Sequence, residues 1–357
     1  MLKKPWLAVL LSLFFPGLGQ IYSGKIKRGY ILFFTWFLSV FIIAFISSYL
    51  KGGMIFYVYL LFANAVIILI LFDAVKCVKK ENENPSGLMR SKAVSYLTYG
   101  FIYLIFVPFV LVGLIKSTVA EAYRIPTGSM ENTLLTGDYI LGIKNTYGIH
   151  IPFSDKYLYY SGKPERNDLV IYKFYDLTES GRYNKNYYIK RCIGLPGEEI
   201  KIVNKKVYIN NTEFEETGEV VHSNDTMAAG VASRLIFPVS SGWNEDNYGP
   251  LKIPAAGEEV KINFANLKVW EKIIKDEGNT LSFNGSGKIT LNGKTADKFT
   301  YNIKNDYVFL MGDNRGNSLD SRYKGFICVS DIVGKAKLIY FSSDKDNIRF
   351  NRIGRRL

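Results

Sequence analysis

The sequence predicts N-terminal transmembrane helices followed by a mostly antiparallel β domain that carries an inserted smaller α+β region. Three observations predict it. Uncharged apolar stretches fill residues 30–50, 54–72 and 93–115, each near or above the roughly 20 residues that a helix needs to cross about 30 Å of hydrocarbon. Charge is lopsided: residues 1–117 hold 12 Lys+Arg against 3 Asp+Glu, whereas 118–357 hold 33 against 29. From Val119 onward, short runs rich in β-branched and aromatic residues alternate with Gly, Asn and Asp, the pattern of strands joined by tight turns.

The first apolar stretch, Pro5 to Ser23, has its strongly apolar part only from Leu7 to Phe15, before Pro16, Gly17, Gly19 and Gln20 interrupt it. It is expected either to re-enter or lie shallow, or to cross. A cleavable signal peptide is disfavoured, because no small-x-small site follows Phe15 and further spans come after it. Positive clusters fall at Lys3 and Lys4, at Lys25, Lys27 and Arg28, and at Lys76, Lys79, Lys80, Arg90 and Lys92. Basic loops stay cytoplasmic, so the Lys51-Gly-Gly turn and everything after the span at 93–117 lie outside, whichever way the first stretch goes. The run Gly19-Gln-Ile-Tyr-Ser-Gly24-Lys25-Ile26 approaches a P-loop, but Ile26 stands where a magnesium-binding Ser/Thr is needed and no strand precedes it.

Strands are expected at Tyr139-Ile-Leu, Leu169-Val-Ile-Tyr, Lys206-Val-Tyr-Ile, Lys288-Ile-Thr-Leu and Tyr307-Val-Phe-Leu, with turns at Asn210-Asn211 and Asn292-Gly293. Residues 266–277 carry Leu267, Trp270, Ile273 and Ile274 at helical spacing. Gly218 to Pro254 reads as a long loop. The near-balanced charge of this part excludes a nucleic-acid binder, which would gather basic residues on its folded domain. Cys77, Cys192 and Cys328 are too few and scattered for a disulfide scaffold or zinc cluster. A Cys192–Cys328 bridge is chemically allowed outside the membrane; the plainer reading is two buried thiols.

Chemistry concentrates in three stretches: Tyr123-Arg-Ile-Pro-Thr-Gly-Ser-Met130, Tyr187-Tyr-Ile-Lys190-Arg-Cys-Ile-Gly-Leu-Pro-Gly197 and Met311-Gly-Asp-Asn-Arg-Gly-Asn-Ser-Leu-Asp-Ser-Arg-Tyr-Lys-Gly325. A serine hydroxyl needs a base to become a nucleophile. The two histidines, His150 and His222, sit in no orienting pattern, and no His-Glu-x-x-His pair exists for a metalloprotease. Lysine remains, and it works only when neutral. At pH 7 a free lysine is unprotonated in only about 4 parts in ten thousand, and lowering its pKa by about 3 requires roughly 4 kcal/mol of desolvation. A strand over 187–193 turns Lys190 to the same face as Tyr188 and Cys192, both poor solvators of charge.

The three stretches, in this order, resemble type I signal peptidase, the serine-lysine dyad family of bacterial leader peptidases. The resemblance covers roughly 118–200 and 305–345, leaving the first 90 residues and most of 211–300 outside it. The apolar stretches and charge pattern divide the chain into a membrane module at 1–92 and a span at 93–117, and the resemblance implies an extracytoplasmic catalytic domain at 118–357 with an insertion at about 211–304. It implies Ser129 as nucleophile, Lys190 as general base, and an oxyanion hole of the Thr127 hydroxyl with the Ser129 N–H. Threonine stands at 127 where the family more often has serine, and Asn132 where many relatives have proline. Ser318 matches the residue that hydrogen-bonds the lysine. Asp320 with Arg322 matches a supporting ion pair, and Asp313 and Arg191 are further supporting groups. Ile125, Pro126, Met130, Leu134, Tyr188 and Ile189 match the substrate-binding wall, which takes small residues one and three places before the cut, the Ala-x-Ala rule.

No cofactor is implied, and the Asp/Asn/Gly-rich third stretch carries arginines where a calcium loop needs acids. Implied partners are signal-peptide-bearing preproteins and the lipid bilayer of a bacterial inner membrane, entered by several spans. Two other readings are weaker. A self-cleaving serine-lysine repressor would carry a DNA-binding module in place of spans. A client-binding protein without turnover would have no reason to keep Ser129, Lys190 and Ser318 together.

Overall fold

The structure is a computed structural model that describes residues 2–49, 53–84, 92–151, 154, 156–160, 162–177, 182–217, 219–283, 288–344 and 347–357. It divides into two compact units, Met1–Val119 and Ala120–Leu357.

The first unit is helical. Helices α1 (Pro5–Phe14) and α2 (Leu18–Ser23) form a tight pair, and at about 1.5 Å per residue neither is long enough to cross a bilayer. Gln20 is fully buried and donates to the Ile70 carbonyl (2.9 Å) and to Asp73 (3.1 Å). Ser12 accepts from the Gly19 N–H at 3.0 Å. The Pro16–Tyr22 stretch is therefore a structural clasp on the next helices. Helix α3 (Ile26–Tyr49) takes in 30–49 of the stretch 30–50, and α4 (Gly53–Glu83) contains 54–72. Lys51 and Gly52 of the Lys51-Gly-Gly turn, and Arg90, are outside the described residues.

Helix α5 (Lys92–Phe101) continues through a π-turn at Ile102–Phe106 into α6 (Val107–Thr118). Pro108 lies just beyond that turn, and its missing N–H interrupts the regular ladder. Among the described residues Val94–Thr118 is the one helix whose length, 25 residues, and apolar composition suffice to cross a membrane.

The second unit is built on strands β1 (Ala120–Arg124), β2 (Asp138–Ile143), β3 (Leu169–Leu177), β4 (Tyr183–Gly194), β5 (Tyr307–Met311), β6 (Ile327–Cys328) and β7 (Ile332–Asp344). Their order across the sheet is β1-β2-β7-β3-β4-β5-β6, with Asn347–Ile348 added beside β7. Every pairing in this sheet is antiparallel. The expected runs at 139, 169, 206, 288 and 307 all fall in strands. Hairpin turns form where Asn204-Lys205, Asn210-Asn211 and Asn292-Gly293 take positive φ at both positions, the geometry that matches strand twist and that asparagine and glycine tolerate.

A second sheet, ordered 248–252, 199–203, 206–209, 212–213, extends the fold. Tyr248–Lys252 is a strand inside the stretch expected to be loop; its fixed partner is 199–203, a long-range pairing that local composition does not encode. Helix α7 (Leu267–Asp276) buries Leu267, Ile273 and Ile274 against a core that also takes in Ile200, Tyr248, Tyr301 and Phe309. The three cysteines are free thiols. Cys192 and Cys328 pair with Leu310 and Tyr307 on opposite sides of β5, two strand spacings of about 4.8 Å apart, too far for a bridge.

Candidate active site

Four segments converge on the site: the turn after β1, strand β4, the loop 312–320 after β5, and helix α8 (Ser321–Lys324). The turn is tight, with Asn132 at φ 73°. Asparagine adopts this left-handed backbone readily whereas proline, fixed near −65°, cannot, which gives the departure at 132 a local reason. The 312–320 loop passes close beside the turn. A Cβ on Gly312 would come within 2.6 Å of the Ser129 carbonyl oxygen, so this position requires glycine.

Lys190 Nζ lies 2.6 Å from Ser129 Oγ, and Lys190 is 2 % exposed. Strand pairing with Val170 fixes the lysine from below. Burial pushes its pKa from 10.5 down to about 8, against the attraction of the Asp320 carboxylate; Lys324 and Arg322 act with burial, and Asp313 against it. Asp320 and Arg322 are both buried and bonded twice, at 3.0 and 2.9 Å. Asp320 also accepts from the Gly312 N–H at 3.0 Å. Burial pushes the Asp320 carboxyl up, but the charge and hydrogen bonds of Arg322 outweigh it and hold it below its ordinary range.

Asp313 is a second junction. It takes a forked pair from Arg191 (2.8 and 2.6 Å) and the Thr133 hydroxyl (2.6 Å). Because Thr133 follows the serine turn and Arg191 adjoins Lys190, one carboxylate ties all three sequence stretches together.

A cavity of about 310 Å³ is lined by Thr127, Ser129, Tyr188, Lys190, Gly316, Asn317, Ser318, Leu319 and Tyr323. Ser318 is thus beside the lysine, but its buried Oγ makes no hydrogen bond, so the expected bond to Lys190 is not formed in this arrangement; the amine lies against Ser129 instead. Of the expected wall residues, Tyr188 lines the cavity. Ile125, Met130 and Leu134 are buried in the core with Ile189 packed on them, and Pro126 is exposed. Neither histidine approaches: His150 is 3.0 Å from the Val333 carbonyl, and His222 sits on Glu216 at 3.7 Å. No group of three potential metal ligands occurs among the described residues.

Three contacts were not legible in advance. Asn314 donates to the Gly128 carbonyl and to Glu131, both at 3.1 Å, and its N–H reaches the Ser129 carbonyl at 3.2 Å. Thr133 carries no motif signal. Val221 bridges the catalytic loop, donating to Asp313 O (2.8 Å) and accepting from Arg315 N (2.7 Å), while Glu216 ion-pairs with Arg315.

A model of the family described as "Signal peptidase, peptidase S26" matches residues 98–341. The chain belongs to the signal peptidase I family. The relatives in this family are serine endopeptidases that remove signal peptides, and this membrane-anchored chain shares that activity. Signal peptidase I of Buchnera aphidicola subsp. Acyrthosiphon pisum is 31% identical over 295 residues, covering 78% of this chain and 88% of the relative. That of Pseudomonas fluorescens is 27% identical over 297 residues, covering 79% and 83%. A crystal structure of a signal peptidase I from Enterococcus faecalis V583 aligns over 48% of this chain and 96% of that one, at 18% identity and a TM-score of 0.23.

Proposed function

We propose that this signal peptidase cuts preproteins with Ser129 as nucleophile and neutral Lys190 as general base. The observation that carries the reading is the 2.6 Å separation of a buried lysine amine from the serine oxygen. Lys190 takes the hydroxyl proton as Oγ attacks the scissile carbonyl carbon. The resulting oxyanion is stabilised by the Ser129 N–H and the Thr127 hydroxyl. Collapse breaks the C–N bond, the departing amine takes the proton back from Lys190, and a water deprotonated by the same lysine then hydrolyses the acyl-enzyme. Asp320 with Arg322, and Asp313 with Arg191, hold this frame, and Ser318 steadies the amine once the serine has moved. With a pKa of about 8, roughly one lysine in ten is neutral at pH 7, a few hundredfold more than for a free side chain.

Substrates bind as extended strands and present small residues one and three places before the cut. A cavity walled by Tyr188 and Leu319 suits such side chains, while Ile125, Met130 and Leu134, with Ile189 packed on them, form the core behind the serine turn. The chain comprises a membrane module at 1–92, a span at 93–117 and the catalytic domain at 118–357, with an insertion at about 211–304. Further spans at 30–50 and 54–72 make it multi-pass in a bacterial inner membrane. The positive clusters in 1–92 put the catalytic domain outside the cytoplasm; the partners are preproteins and lipid, and no nucleic acid.

The test is cleavage of a purified preprotein by the full-length protein in detergent. Ser129→Ala and Lys190→Met, each verified as folded by its melting curve, are expected to lose at least 10³ in rate. Cleavage surviving both substitutions rejects the pair.

A further inference from the structure

One cation at the site has no part in the scheme above. Lys324, at the end of α8, donates to Asp176 of β3 at 3.0 Å. Its Nζ lies 4.2 Å from the centroid of the Phe174 ring and 4.0 Å from that of Tyr188. Asp176 in turn accepts from the Tyr188 hydroxyl at 2.5 Å and from Asn186 at 2.9 Å. Asp176, Phe174 and Tyr188 thus form a closed clasp around one ammonium, with Asn186 bonded to the carboxylate. Tyr188, a member of that clasp, is also a wall of the cavity that holds Ser129 and Lys190. An ammonium between two aromatic faces is held in place by the rings' quadrupoles and by the carboxylate together.

We propose that Lys324 is a positioning residue of this peptidase: its ammonium fixes Tyr188 as a wall of the cavity that holds Lys190 and places a second positive charge behind that wall. The inference rests on the reading of Lys190 as general base. Lys190 contacts Ser129 of the serine turn, and the charges that act on it are those of Asp320, Lys324, Asp313 and Arg322. Facing Lys324 are Asp176, Tyr188 and, across the Phe174 ring, Lys272 of α7 at 5.2 Å from the ring centroid. A positive neighbour disfavours the protonated amine, and its effect on Lys190 runs in the same direction as burial.

The experiment compares full-length wild type, Lys324→Met, Lys324→Arg and Asp176→Asn for preprotein cleavage between pH 6 and 10, with melting curves for each. Lys324→Met is expected to move the rising limb of kcat/KM upward by about half a pH unit or more. That displacement gives roughly a threefold loss at pH 7 that is recovered at pH 10. Lys324→Arg restores the wild-type limb. Asp176→Asn, which leaves the ammonium uncompensated, moves the limb downward and keeps the proposal testable should the methionine variant fail to fold. A loss of equal size at every pH, or an Asp176→Asn limb that stays put or rises, overturns the proposal while leaving Lys190 as base. A wild-type profile with no limb near pH 8 removes both.

Discussion

Replacing Lys190 with methionine is expected to abolish cleavage and to raise the melting temperature. The native state holds this amine with its pKa moved from 10.5 to about 8. At about 1.4 kcal/mol per tenfold, that difference costs the fold roughly 3 kcal/mol at neutral pH. The unfolded chain binds the proton below 10.5, whereas the folded chain binds it only below about 8, so stability rises with pH between those values. The penalty is therefore full below about pH 8 and gone above about 10.5. Methionine fills similar space without a charge, and it forfeits the contact with Ser129, a hydrogen bond of about 1 kcal/mol. The balance favours the variant by about 2 kcal/mol, or about 4–8 °C for a domain of this size. Thermal melts of the full-length protein in detergent at pH 7 and at pH 10.5 measure it, and the gain should shrink at the higher pH. A variant that melts at or below the wild type at pH 7, or whose gain is the same at both, refutes the reasoning.

The wild-type kcat/KM should climb with pH through an apparent pKa of about 8 and then level, because the active lysine is the neutral one; a plateau reached only near 10.4 contradicts a desolvated base. Thr127→Val, which deletes the hydroxyl proposed to bind the oxyanion, should lower kcat by about 10²–10³ with little change in KM, read from steady-state cleavage. Asp313→Ala strands the buried Arg191 and should cost about 3–5 kcal/mol of stability, visible in denaturant titration. Asn314→Ala loses two side-chain bonds to the serine turn and should reduce kcat/KM about tenfold while lowering the melting temperature by only a few degrees, about 1 kcal/mol per bond.

The strands at 139, 169, 206, 288 and 307 were legible because β-branched runs sit between asparagine and glycine turns, and α7 because its apolar residues recur at helical spacing. Ser129, Lys190 and the 311–325 loop were legible as motifs. Strand β1, Ala-Glu-Ala-Tyr-Arg, carries little alternation and is set by its pairing with β2. Tyr248–Lys252 was hidden for the same reason. Thr133 and Asp313 are separated by 180 positions, and nothing local to either announces the bond. The wall residues Ile125, Met130 and Leu134 matched by position, but their burial follows from packing with Ile140, Ile171 and Ile339.

Val221 threads its backbone between Asp313 and Arg315, and this limits how the molecule can change over evolutionary time. Trimming the appended region back past that point would strip partners from main-chain groups beside the reaction centre and orphan the Arg315–Glu216 pair. Insertions and deletions should therefore be tolerated least at this crossing and where Phe237 and Glu245 contact Arg322 and Tyr323.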